Sequence, residues 1–111
     1  MTKIKDFLKT KLINFKKFIQ QQFEDISMRN LTLEKPIVIN NYPKLIKELD
    51  FFSENIDSFI SSLCVLNIDD VDQSIKIFLL NYEINIDDIK EHIDYDKLKR
   101  YIEMFFDVIK K

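Results

Sequence analysis

The chain has 111 residues, of which 46% are hydrophobic and 32% are charged, and its formal net charge is −2 at pH 7. This length fits one domain, and the composition excludes a disordered chain and supplies enough apolar side chains for a core without disulfides or metals. The absence of glycine excludes the phosphate-binding loops, EF-hands and nucleophile elbows of many enzyme families.

The first predicted element is a basic amphipathic helix from Thr2 to about Arg29. Its apolar residues recur at spacings of three and four, which form one stripe at 100° per residue. The stripe contains Ile4, Leu8, Leu12, Phe15, Ile19, Phe23 and Ile26, joined by Phe7 and Phe18. Five lysines lie on the opposite side, Lys3, Lys5, Lys9, Lys16 and Lys17. Lys11 alone falls within the apolar arc.

Residues 30–43 interrupt the helical period and are predicted to form a linker. Pro36 and Pro43 flank the β-branched run Ile37–Ile39, which favours extended backbone or a short strand. Pro43 suits the first turn of the next helix, because its missing N–H is not needed there.

The second predicted helix covers residues 44–66, where apolar residues alternate spacings of four and three. They are Leu45, Leu49, Phe52, Ile56, Phe59, Leu63 and Leu66. This 3.5-residue period is that of a coiled-coil seam, but Ile46 and Ile60 widen the stripe. We therefore favour a helix inside a bundle over a coiled-coil dimer.

Three shorter helices are predicted to follow. The acidic run Asp69–Asp72 is typical of an N-cap and a first turn, and Asn85 with the acids after it repeats the pattern. The last helix begins at Asp94 or Asp96. The expected fold is all-α, a compact bundle of four or five helices, with two long N-terminal ones and shorter C-terminal ones in a single domain, 1–111.

Charge is distributed unevenly along this domain. Residues 1–22 carry six Lys and one Asp, a net charge of +5, and the remaining residues carry a net charge of −7. Most of the acidic excess lies in residues 67–96. The overall charge of −2 therefore hides a polarised molecule.

Three roles stay open for the basic helix 1–29. It docks on the helical bundle 44–111 with a solvated lysine face, lies on an anionic membrane surface, or projects and binds an acidic protein. Nucleic acid is disfavoured, because the chain has two Arg and an acidic remainder. The candidate residues for contact with a partner or a membrane are Lys3, Lys5, Lys9, Lys16, Lys17, Phe7, Phe15 and Phe18.

Neither a metal site nor a catalytic site is predicted. Asp88 and His92 share a helix face, but two side chains do not complete a metal site. Cys64 and His92 form the one conceivable thiol–base pair, without an orienting partner or an oxyanion hole. We therefore expect neither a cofactor nor enzymatic activity, and we expect His92 to be partly exposed.

Two further predictions concern the burial of particular side chains. Cys64 stands beside Leu63 in a helical pattern, which predicts a buried and inert thiol. Phe51-Phe52 and Phe105-Phe106 are adjacent pairs, and neighbours on a helix point 100° apart. Either their helices are buried broadly or one ring of each pair is exposed, and we favour burial.

The functional expectation is a non-enzymatic protein–protein interaction protein, such as an assembly factor, a structural subunit or an inhibitor. The alternative is a peripheral membrane protein anchored by the basic N-terminal helix. A protein partner is expected, while self-association and binding to an anionic membrane surface stay open.

Composition also bears on location and origin. One cysteine and no apolar run longer than four residues predict a cytoplasmic protein in a reducing compartment. The chain lacks Ala and Trp and has fifteen Lys against two Arg, which predicts an AT-rich genome, because the codons of the missing residues are rich in GC. In composition alone it is similar to small helical proteins of phages and large viruses, which would place it in the host cytoplasm.

Overall fold

Helices are the regular secondary structure of the residues that the structure describes. The computed structural model describes residues 2–29, 32, 41–66 and 69–110, and this part contains six α-helices, one 3₁₀ turn and no strand. The helices are α1 (Thr2–Arg29), α2 (Tyr42–Glu54), α3 (Ile56–Cys64), α4 (Val71–Leu80), α5 (Ile86–Ile89) and α6 (Tyr95–Lys110), with the 3₁₀ turn at Lys90–His92. The predicted all-α fold is confirmed. The run Ile37–Ile39 lies outside the described residues.

Helix α1 supplies one side of the core along most of its length. Its 28 residues, at about 1.5 Å per residue, span roughly 42 Å of a molecule whose longest extent is 49 Å. The buried part of its stripe consists of Leu8, Leu12, Phe15, Ile19, Phe23 and Ile26. These side chains pack against α2, α3 and α6. The helix therefore docks on the bundle instead of projecting from it.

The predicted helix 44–66 is wrong as a single element, because the chain breaks at Asn55. This residue has φ −133° and ψ 69°, which is outside the helical region. Its side-chain amide donates to the Phe51 carbonyl at 2.9 Å, and its backbone N–H donates to the Phe52 carbonyl at 3.2 Å. The Asn55 carbonyl then accepts from the Ser58 N–H at 3.0 Å. The asparagine thus satisfies backbone groups on both sides of the break.

The apolar period continues through this break because α2 and α3 face the same core. Leu49, Phe52, Phe59 and Leu63 are all buried, and the Phe52 and Phe59 rings lie 5.6 Å apart. The heptad spacing therefore marks a buried face, and not a continuous coiled-coil seam. The break also raises the number of α-helices in the described residues to six, one more than the upper prediction.

Helix capping agrees with the sequence-based expectation. Asp70 accepts from the Gln73 N–H at 3.0 Å, and Asn85 accepts from the Asp87 N–H at 3.0 Å. Asp94 accepts from the Lys97 N–H at 3.1 Å, which makes Asp94 the cap of α6. Two acids of the segment 67–96, Asp70 and Asp94, are therefore explained by the need to satisfy N–H groups in a first helical turn.

A small cluster of polar side chains joins α4 to α6. The Tyr95 hydroxyl donates to the Asp72 carboxylate, and Lys99 Nζ lies 3.2 Å from the second oxygen of that carboxylate. The hydrogen bond from Tyr95 and the ammonium of Lys99 hold the pKa of Asp72 below its usual range. Burial and the same hydrogen bond raise the pKa of Tyr95. This cluster places α4 on one flank of α6.

Two burial predictions are corrected. The Cys64 thiol is exposed, because on the last turn of α3 its side chain points about 100° away from that of the buried Leu63. Phe51 is also exposed, whereas the neighbouring Phe52 is buried. The pair Phe105-Phe106 is buried as favoured, because α6 packs against both α1 and α4.

The turn that follows α4 contains a residue in the left-handed region, which favours glycine, but this chain has no glycine. Glu83 has φ 58°. The Glu83 N–H donates to the Leu80 carbonyl at 3.0 Å, and the Ile84 N–H donates to the Leu79 carbonyl at 3.1 Å, the two bonds of a Schellman motif. A residue with a β-carbon in this conformation costs about 1–2 kcal/mol.

Replacing Glu83 with glycine is expected to raise the free energy of unfolding by about 0.5–1 kcal/mol, since glycine adopts φ > 0 without a steric cost. The loss of an exposed hydrogen bond from Asn41 to the Glu83 carboxylate, 2.7 Å long, offsets part of this gain. Urea titration followed by circular dichroism measures the change. Glu83→Ala is the matched control, because it loses the same bond and keeps the β-carbon. A glycine variant no more stable than the alanine variant would contradict the assignment of strain.

Candidate functional site

Three of the five lysines predicted to contact a partner are paired with acids of the same chain. They lie on the flank of α1 that faces α2 and α3. The pairs are Lys5–Asp57 at 3.1 Å, Lys9–Glu54 at 3.9 Å and Lys16–Asp50 at 2.5 Å. The basic charge of α1 is therefore partly neutralised within the fold. Lys3 and Lys17 are exposed and form no ion pair with another described residue.

The three phenylalanines predicted at the contact surface differ in burial. Phe15 is 2% exposed, and its ring packs edge-on against Phe105 with the ring centroids 5.6 Å apart. Its assignment to a contact surface is wrong, because the ring is part of the core. Phe18 is half-buried against Tyr101, whereas Phe7 is 43% exposed. Phe7 and Phe18 thus remain at the surface.

These two phenylalanines border a groove between α1 and α6, which run antiparallel. The Asp94 N–H donates to the Gln22 side-chain oxygen at 2.8 Å at one end of the helix pair, and Phe15 contacts Phe105 further along. Continuing this register places Phe7 beside the C-terminal half of α6. The residues that line the groove are Lys11, Lys97, Arg100, Tyr101 and Met104.

The rings hold two of the groove's cations in place. Lys11 Nζ lies 5.5 Å from the centre of the Phe7 ring, and Lys97 Nζ lies 5.1 Å from the centre of the Phe18 ring. Both distances are within the range of cation–π attraction. This packing keeps each ammonium near the groove at a low entropic cost for binding.

The groove is lined by three cations. Lys11, Lys97 and Arg100 take part in none of the ion pairs identified between described residues. Arg100 Nε donates to the backbone carbonyl of Asp96 at 3.4 Å. Three positive charges therefore adjoin Tyr101 and Met104, which supply partly buried apolar surface.

These groups are suited to binding. A guanidinium and two ammonium groups can donate hydrogen bonds to carboxylate or phosphate oxygens, and Arg100 can do so with two parallel bonds. Tyr101 and Met104 offer an aromatic ring and an adaptable thioether to apolar side chains. In the residues that the structure describes, there is no group of three or more His, Cys, Asp or Glu side chains arranged to hold a metal ion. As expected, His92 is partly exposed.

Most of the groove was not identified from the sequence. Lys97, Arg100 and Met104 recur at spacings of three and four, which places them on one flank of α6. Lys11 is the one lysine within the apolar arc of α1. A lysine at that position indicates the edge of the buried stripe, where a neighbouring helix is expected to pack. The identity of the neighbouring helix required the fold.

Other exposed surfaces have fewer of the features expected of a binding site. Phe51 is 52% exposed beside Lys44 and Lys47 on α2, but Glu48 lies in the same depression. Ile77 and Leu80 are exposed on α4. None of the described helices is both long enough and apolar enough to span a lipid bilayer.

Comparisons with known proteins place the chain in no family. No protein-family model, no curated protein and no solved structure matches it. We therefore infer the function from the groove between α1 and α6 and from the surfaces around it.

Proposed function

We propose that this protein is a non-enzymatic protein–protein interaction protein that binds an acidic partner protein through the groove between α1 and α6. The observation that supports it is the set of three cations, Lys11, Lys97 and Arg100, which form no ion pair with a described residue and adjoin Tyr101 and Met104. Assembly factors, structural subunits and inhibitors all use contacts of this kind.

The contrast between the two flanks of α1 favours this assignment. On the flank toward α2 and α3, lysines lie opposite acids and pair with them. On the flank toward α6, Lys11 lines the same groove as Lys97 and Arg100. Like charges that line one groove repel, and a partner's carboxylates relieve this repulsion while they gain charge-assisted hydrogen bonds.

The alternative, a peripheral membrane protein anchored by α1, is less well supported by this packing. The side chains that would enter the bilayer, from Leu8 to Ile26, are buried in the core. Only Ile4 and Phe7 are nearly half exposed on this helix's apolar stripe. Anionic lipid would still attract each groove cation by about 1 kcal/mol, but little apolar area is available to insert.

The test compares proteins captured from a nuclease-treated lysate of the source cell by three tagged forms. They are the wild type, the groove variant Lys97→Glu/Arg100→Glu and the control variant Lys3→Glu/Lys17→Glu. Both variants reverse two exposed lysine or arginine charges, and a Glu at 97 is compatible with the first turn of α6. We expect the wild type and the control variant to retain the same protein partner and the groove variant to lose it. Capture that is unchanged in the groove variant would contradict the proposal.

Vesicles of anionic phospholipid separate the alternative from the proposal. The expected result is that the wild-type protein stays in the supernatant when the vesicles are sedimented at physiological salt. Sedimentation with the vesicles that is abolished by Lys97→Glu/Arg100→Glu and weakened by salt would instead support the membrane anchor.

A further inference from the structure

We infer that one occupant of the groove is the outer face of α4 from a second copy of this chain, so that copies assemble head to tail. The inference rests on the proposed function in one respect, because it uses the same groove as a contact surface.

The outer face of α4 is apolar at one end and acidic at the other. Ile77 and Leu80 are 42% and 49% exposed, and their spacing of three residues places them on the side away from the buried Ile75 and Leu79. The two side chains together form a small exposed apolar patch. Asp70, the exposed N-cap of α4, precedes Ile77 by seven residues and lies at the N-terminal end of the helix, where its carboxylate accepts from the Gln73 N–H.

The groove also has a charged end and an apolar end, but its charge is positive where that of α4 is negative. Lys97 precedes Met104 by seven residues on α6, about 10 Å along the helix, and the N-cap Asp70 precedes Ile77 of α4 by the same number of residues. When α4 lies parallel to α6, its acidic end is placed at Lys97 and Arg100 and its apolar end at Met104. Phe7, nearly half exposed beyond Met104 in the antiparallel register, then extends the apolar surface toward Leu80.

The geometry requires a second copy. Within one molecule, α4 packs against α6 through the contacts of Asp72 with Tyr95 and Lys99. Lys97 and Tyr101, on the other flank of α6, contact α1. The outer face of α4 therefore cannot reach the groove of its own chain. Two different surfaces then meet in each contact, and such a heterologous contact extends into a chain of copies or closes into a ring.

Sedimentation velocity on the full-length protein tests self-assembly directly. We expect the mass to exceed the 13.4 kDa of one chain and to rise with concentration, with a Kd on the order of 0.1–1 mM, because the surfaces are smaller than a standard interface. Raising the salt to roughly 0.5 M should weaken the association, since it screens the exposed charges. A mass that stays at one chain up to about 1 mM protein at low salt would overturn the inference.

Complementary variants test the pairing of the two faces. Lys97→Glu/Arg100→Glu disables the groove as a contact surface, and Ile77→Gln/Leu80→Gln disables the outer face of α4. Each variant alone should be monomeric. An equimolar mixture retains one intact groove and one intact α4 face, so that it should form a complex of two chains that grows no further. Met28→Gln, at an exposed apolar residue elsewhere, and Lys3→Glu/Lys17→Glu are the controls that should still self-assemble.

Two outcomes of these experiments would separate this inference from the proposed function. Self-assembly that survives both face variants, or a mixture that remains monomeric, would show that copies do not pair in this way. A monomeric wild type whose groove variant still loses a captured acidic partner would overturn the self-assembly alone and leave the proposed function intact.

Discussion

Replacing Phe105 with alanine is expected to lower the free energy of unfolding by about 3–5 kcal/mol. Phe105 is fully buried, and its ring packs edge-on against Phe15 at 5.6 Å and against Phe59 at 5.0 Å. It therefore joins α6 to α1 and to α3 at a single point. The truncation would also enlarge a small apolar cavity that the same three rings already line. The neighbouring side chains therefore cannot easily fill the space that the ring leaves.

Phe51→Ala is the matched control for this substitution, because it deletes the same atoms from a ring that is 52% exposed. We expect it to cost less than about 1 kcal/mol, as surface substitutions usually do. Urea denaturation of both variants, followed by far-ultraviolet circular dichroism, gives the two free energies. Since a domain of this size is stable by only about 5–15 kcal/mol, the Phe105 variant should unfold at a clearly lower urea concentration. Equal losses in the two variants would show that Phe105 is not at the centre of the core.

Apolar periodicity was sufficient to identify the helices and their buried faces. The stripe of α1 from Leu8 to Ile26 is buried as its spacing indicates, because no other side of that helix is apolar enough to face a core. Periodicity was not sufficient to locate the break at Asn55, since the apolar spacing is continuous through it. At the break, the Asn55 side chain donates a hydrogen bond to the Phe51 carbonyl, and a hydrophobic pattern carries no information about such a bond.

The candidate site was predicted less well than the fold, because it depends on which helices are neighbours. Charge along the sequence indicated that the lysines of α1 would face a partner. In the structure, Lys5, Lys9 and Lys16 instead face acids of α2 and α3. The groove became identifiable only when α6 was placed beside α1, which brings Lys97 to the Phe18 ring. Contact residues from two distant helices cannot be grouped from their spacing within either helix alone.

Both proposals depend on the fixed position of α1. A helix that leaves the bundle would take Lys11 and Phe7 with it and leave only the α6 half of the groove. The exposed ion pairs between α1 and its neighbours are each worth about 1 kcal/mol or less. The position of α1 is therefore determined by its buried apolar stripe, and removal of this stripe should have a larger effect than loss of any charge.

Deletion of residues 1–22 is accordingly expected to abolish cooperative folding of the remaining chain. The deletion removes Leu8, Leu12, Phe15 and Ile19, all of them buried. At about 1.5–3 kcal/mol for each buried side chain, the loss is on the order of 6–12 kcal/mol, which is comparable with the whole stability of a small domain. It also exposes the Phe105 ring that Phe15 covers in the intact protein. Thermal unfolding and the dispersion of the amide nuclear magnetic resonance spectrum measure the result.

The control for this deletion keeps the helix and changes only its charge. Lys3→Gln/Lys17→Gln in the full-length chain removes two exposed lysines that form no ion pair with a described residue. It should unfold cooperatively with nearly unchanged stability, because surface substitutions usually shift it by about 0.5 kcal/mol or less. A truncated chain that unfolds cooperatively and gives a well-dispersed spectrum would show that residues 41–66 and 69–110 fold without α1. In that case α1 would be free to project, and the groove would not be a stable feature of the molecule.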